Sequence, residues 1–165
     1  MDFAEFILLY NTFAPGLPLA LNIKADGLQT ELARYLREYN VTNYFVFDMS
    51  IPDTIGYLNN KFRYCVRQSE FETIDYHSVL YMNAFGVWLD EFHHHWINTN
   101  TLLNHLDNGK TVCIVSPELH GRDYLNEWNH YKEAGKNIKT DKLILCTDLP
   151  EYAREFFANG KGARL

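Results

Sequence analysis

Six short apolar runs punctuate the chain: Leu19–Ile23, Tyr44–Phe47, Tyr64–Val66, Phe85–Leu89, Val112–Val115 and Leu143–Leu145. Each is rich in β-branched or aromatic residues, and none alternates cleanly with polar ones. Such runs fit strands buried on both faces of a parallel sheet. Their centres lie roughly 18 to 31 residues apart, about one βα unit each. Helical periodicity fills the gaps. Leu28, Leu32, Tyr35 and Leu36 form one stripe, with Asp26 or Gly27 as the cap. Ser69 to Tyr81 reads as a second helix, with Ser69 as N-cap and Glu72 completing a capping box. Further helices fit Phe3 to Phe13, Phe92 to Leu106, Tyr124 to Ala134 and Pro150 to Phe157. Gly109, Gly135, Asn40 and Asn59-Asn60 are stop or turn signals.

The pattern is α(βα)6 with no linker and no low-complexity tract, so one α/β domain with a parallel sheet is expected over residues 1–165. Two architectures satisfy it. One is an open doubly wound sheet. The other is part of a (β/α) barrel, which when full takes about 250 residues. Six units fall two strands short of the eight.

Composition narrows the class. The chain has 165 residues, 47% hydrophobic and 22% charged, which suits one globular domain. Fifteen basic and 21 acidic residues give a charge of −6. That balance argues against a nucleic-acid partner. Phe6–Tyr10 is too short for a signal peptide or a membrane span, and no basic residue precedes it. Cys65, Cys113 and Cys146 follow no framework or zinc spacing, so reduced thiols and a cytoplasmic setting are expected.

In both architectures function belongs at the C-terminal ends of the strands. The residues that follow the six runs are, in order, Asn22, Lys24 and Asp26; Asp48 and Ser50; Arg67, Ser69 and Glu70; Asp90 and Glu91; Ser116, Glu118, His120 and Arg122; Thr147 and Asp148. Helix N-termini favour acids, which accounts for Asp26, Glu70 and Asp148 without function. Lys24 and Arg67 lie where no helix C-terminus asks for a cation. They suit an anionic ligand, phosphate first, while Lys24 has a salt bridge with Asp48 or Asp90 as its alternative. Ser116 to Arg122 either holds a general acid or base, His120 tuned by Glu118, or is a capped helix start with a surface histidine. His93-His94-His95 looks like a metal cluster, but helical neighbours point about 100° apart and do not converge on one ion. The three read as solvent-facing or groove-packing.

No GxGxxG, Walker A or GxSxG motif occurs. The series Leu21-Asn22-Ile23-Lys24, Phe47-Asp48-Met49-Ser50-Ile51-Pro52-Asp53, Arg67-Gln68-Ser69-Glu70, Gly86-Val87-Trp88-Leu89-Asp90 and Cys146-Thr147-Asp148-Leu149-Pro150 resembles the later strands of the phospholipase-C-like phosphodiesterases. This TIM-barrel group includes the glycerophosphodiester phosphodiesterases. The resemblance covers roughly residues 17 to 158 and rests on the order of the motifs. It implies a partial TIM-type barrel of about six βα units, and metal-dependent hydrolysis of a small glycerol- or inositol-type phosphodiester. Lys24, Arg67 and Trp88 would meet the substrate, with Lys24 and His120 in the catalytic set. Asn22, Asp48, Glu70, Asp90 and Glu118 would be available to Mg²⁺ or Ca²⁺.

Two departures stand out. Asn22 replaces the family's metal-binding Glu, which removes one negative charge. The family's His-Arg-Gly motif, its Glu-x-Asp pair and its second catalytic His have no counterpart before Leu17. The chain therefore matches the C-terminal three-quarters of such a barrel. Completion by an N-terminal segment, or a homodimer across open strand edges, is the expected consequence. The alternative from another class is a non-catalytic barrel remnant that binds a phosphorylated ligand or a partner chain.

Overall fold

The computed structural model describes residues 1–158. The order is α1 (Phe3–Phe13), β1 (Leu19–Asn22), α2 (Gln29–Glu38), β2 (Tyr44–Phe47), α3 (Ile51–Asn59), β3 (Cys65–Gln68), α4 (Val79–Asn83), β4 (Gly86–Leu89), α5 (Thr99–Asp107), β5 (Thr111–Val115), a 3-10 turn (Pro117–His120), α6 (Tyr124–Gly135), β6 (Leu143–Cys146) and α7 (Pro150–Ala158). The class is α/β with parallel strands, and each of the six apolar runs carries one strand. No helix among the described residues is long and apolar enough to cross a membrane. The three cysteines are thiols, and burial pushes that of Cys146 up to about 11. The chain divides into two compact units, Met1–Cys65 and a second that begins at Val66.

In the first unit β1 and β2 pair in parallel, Leu19 beside Tyr44 through Asn22 beside Phe47. A parallel bridge between Val46 and Tyr64 extends this pairing past β2. α1 is fixed by an Asp2–Glu5 capping box and by the edge of Phe3 against Tyr35 of α2, 5.5 Å between ring centres. β1 alternates, with Leu19 and Leu21 buried but Ala20 and Asn22 exposed, where two-faced burial was expected. It is the end strand of its sheet, and sheet ends keep one wet face more often than centres do.

In the second unit four parallel strands run in the order β3-β4-β5-β6, with no reversal of strand order. β4 and β5 are buried along their whole length. Val87, Leu89, Val112 and Ile114 pack with Leu102 of α5 and with Trp128 and Tyr131 of α6. Each such aliphatic side chain contributes about 1.5–3 kcal/mol by leaving water.

Three local expectations are corrected. The helix expected over Ser69–Tyr81 shrinks to Val79–Asn83. Ser69 and Glu72 instead close a turn on each other, backbone to backbone at 3.1 and 3.3 Å. Arg67 holds the Glu72 carboxylate that a capping box would need. The helix expected from Phe92 begins only at Thr99, because two carboxylates draw the N–H groups of the preceding segment out of helical pairing. α2 has Leu28 as its N-cap, with no side-chain cap, where Asp26 or Gly27 was expected. α3 fills the one βα unit for which the sequence pattern named no helix. It is announced by Ser50, whose hydroxyl accepts from the Asp53 N–H at 3.2 Å, and by Pro52 in the first turn.

Candidate functional site

The second unit gathers its polar side chains beyond the C-terminal ends of β3 to β6. Asp90 follows β4 directly and is buried. His120 ends the 3-10 turn after β5, where Gly121 at φ +69° reverses the chain. His120 Nε2 lies 2.6 Å from Asp90 Oδ1, and the ring packs on Phe92 at 4.6 Å. The partner of His120 is thus Asp90, not Glu118. With the Nε2 proton donated to Asp90, the lone pair sits on Nδ1, the atom free to accept a proton. The ring is partly open to solvent, its carboxylate partner almost closed.

Glu118 binds inside the fold. Its carboxylate accepts from the hydroxyls of Ser116 and Thr147, and from the Asp148 N–H at 3.2 Å. It thereby clamps the end of β5 to the end of β6. Trp128 Nε1 donates to the Ser116 hydroxyl at 2.7 Å and extends the clamp to α6. Glu70 accepts from the N–H groups of Phe92, His93 and His94 at 2.7 to 3.2 Å. Burial pushes its carboxyl up, but these N–H groups outweigh it and hold it down at about 2. Glu70 therefore pins the loop that follows β4.

That loop carries a second network. Glu91 is fully closed to solvent. Its Oε1 accepts from the N–H groups of Trp96 and Ile97, both at 2.8 Å, and its Oε2 from the Tyr131 hydroxyl at 2.6 Å. Arg122 donates to the Glu91 carbonyl at 2.6 Å and to Glu127 Oε1 at 2.9 Å. Glu127 Oε2 lies 2.9 Å from His95 Nδ1 and 3.2 Å from His130 Nδ1. Sequence reasoning set His95 aside because it assumed a helix there. It missed Glu127 and His130, although their i,i+3 spacing on an expected helix was the available signal.

The other expected residues are placed as follows. Arg67, on β3, makes a two-point pair with Glu72, Nε at 2.5 Å and Nη2 at 3.0 Å. Trp88 is buried within β4. In the first unit the Lys24 ammonium lies 2.5 Å from Asp48 Oδ2, an exposed pair on the lysine side. Asp48 itself sits at φ +72°, a left-handed conformation that Asp tolerates better than most residues. Asn22 ends β1 beside a cleft of about 430 Å³ lined by Phe3, Leu21, Leu32 and Tyr35.

Mg²⁺ or Ca²⁺ asks for six or more oxygen ligands with lone pairs to give. Glu70 and Glu118 turn theirs to protein donors, Asp90 faces His120, and Asp48 holds an ammonium. This donor set does not fit such an ion. Among the described residues, the group whose ligand atoms converge is His95, Glu127 and His130, and none of the five expected ligands belongs to it. Comparison with family models, with curated proteins and with solved structures finds no match to the chain.

Proposed function

We propose that the chain is a hydrolase of small phosphodiesters, with the Asp90–His120 pair as its acid–base group. The observation that carries this reading is the 2.6 Å contact between the two side chains at the ends of neighbouring parallel strands. His120 Nδ1 accepts a proton from the attacking water as its oxygen bonds to phosphorus, and gives that proton to the leaving ester oxygen as its bond to phosphorus breaks. Asp90 fixes the tautomer and stabilises the imidazolium in between. No step is routed through a metal ion. The unreversed order β3-β4-β5-β6 supports winding as part of a (β/α) barrel, since a doubly wound sheet reverses its order once. The thiols support a cytoplasmic setting.

The test is turnover of bis(p-nitrophenyl) phosphate, in Mg²⁺, Ca²⁺ or Mn²⁺ and in EDTA. His120→Ala is expected to lower kcat by roughly 10²- to 10⁴-fold. Asp90→Asn is expected to lower kcat while KM holds, since Asp90 acts through His120. Lys24→Ala tests separately the phosphate role that the resemblance implies. No turnover in any condition, or turnover indifferent to His120→Ala, overturns the hydrolase reading.

One observation favours the second reading, a non-catalytic module for a phosphorylated ligand or a partner chain. β1 pairs only with β2 among the described strands, and so presents an open edge to another chain, a second copy included.

A further inference from the structure

We propose that His95, Glu127 and His130 form a binding site for a transition-metal dication of the zinc class. The site is independent of the hydrolase reading. Three donors of the right kind converge from two elements. Glu127 and His130 stand one turn apart on the same face of α6, and His95 reaches them from the loop after β4. The ligand atoms all lie within 4.8 Å of one another, with His95 Nδ1 and His130 Nδ1 at 2.9 and 3.2 Å from Glu127 Oε2. Two ligands on a tetrahedral zinc, each about 2.0–2.1 Å from the ion, are about 3.4 Å apart. The two contacts to Glu127 need only a small expansion to reach that spacing.

The orientation of His95 points the same way. Its Nδ1 is buried and makes no hydrogen bond, although Glu127 Oε2 and Glu91 Oε1 lie at 2.9 and 3.1 Å. Both contacts are short enough for a hydrogen bond, yet neither counts as one. A shared ion fits short contacts that are not hydrogen bonds. An atom about 2 Å from both a nitrogen and an oxygen sits roughly 45° off the line between them. A proton would instead lie on the line.

Charge agrees. Glu91 and Glu127 bring two negative charges close to His95, and Arg122 answers one of them. The negative charge left over favours a cation at this point. The donors are also held from behind, as metal ligands usually are. Arg122 fixes the outer oxygen of Glu127. Glu70 pins the backbone on one side of His95, and Glu91 pins it on the other. Two imidazoles and one carboxylate select zinc, cobalt or nickel over Mg²⁺ and Ca²⁺. His130 is 46% exposed, so a water or ligand oxygen has access to a fourth position.

The experiment is a Co²⁺ titration of tag-free, chelator-treated protein, followed by visible absorption and repeated by calorimetry with Zn²⁺. The expected result is one ion per chain, indifferent to a large excess of Mg²⁺ or Ca²⁺. His130→Ala, at an exposed position, should keep the fold by circular dichroism and weaken binding roughly tenfold or more. The double variant His93→Ala/His94→Ala should bind as the parent does. Absence of binding, binding unchanged in His130→Ala, or binding lost with His93 and His94 overturns the proposal.

Discussion

The Tyr131 hydroxyl of α6 donates to the Glu91 carboxylate after β4 at 2.6 Å, both side chains being closed to solvent. Burial and the neighbouring Glu91 charge both push the Tyr131 phenol up, so it stays a donor. Tyr131→Phe would leave a buried carboxylate oxygen short of a donor. The expected cost is about 1–3 kcal/mol of stability. Tyr57 provides the contrast. It is equally buried, yet among the described residues its hydroxyl has no hydrogen-bond partner. Tyr57→Phe should change stability by no more than about 0.5 kcal/mol, or raise it. Urea unfolding of both variants checks the pair. Equal losses would contradict it.

The strands and most helix ends were legible in the sequence because they depend on near neighbours. Compact apolar runs marked all six strands, and α1 falls on Phe3–Phe13 as its pattern indicates. The late start of α5 has a long-range cause. Phe92 to Asn98 has a helical pattern, but Glu70 and Glu91 satisfy its N–H groups from outside. Glu70 lies more than 20 residues away, beyond the reach of any local pattern. The site was half legible for the same reason. Asp90 and His120 were both named from their strand ends. Their pairing across 30 residues, in preference to the adjacent Glu118, was not.

His105 predicts an acid-sensitive fold. Its ring is fully buried, between the Tyr81 hydroxyl at 3.0 Å and Gln68 Oε1 at 2.9 Å. Burial pushes it down to about 4. Between that value and the ordinary 6.5 the unfolded chain binds a proton that the folded chain refuses. Stability should therefore fall as pH drops from about 6.5 to 4, and level off below, by about 3 kcal/mol in all. His105→Gln should flatten this segment of the profile. Denaturant midpoints at pH 7 and pH 5, for parent and variant, measure it.

Glu70 predicts the opposite end of the pH scale. Its benefit is present above about 4.5 and is lost as pH falls through about 2. At neutral pH, Glu70→Ala should release the N–H groups of Phe92, His93 and His94. Hydrogen exchange at these three amides is expected to quicken, while that of buried β5 is unchanged. Uniform quickening would mean that Glu70 supports the whole unit and not the loop.

The division at Cys65–Val66 has an optical consequence. Trp88, Trp96 and Trp128 all fall in the second unit, and the first contains no tryptophan. Indole emission therefore follows the second unit alone, while far-UV ellipticity sums the helices of both. Overlaying the two melting curves reads the cooperativity of the chain without any label. Coincident midpoints identify one melting body. An ellipticity change that leaves the emission untouched identifies the first unit as a separate folding domain.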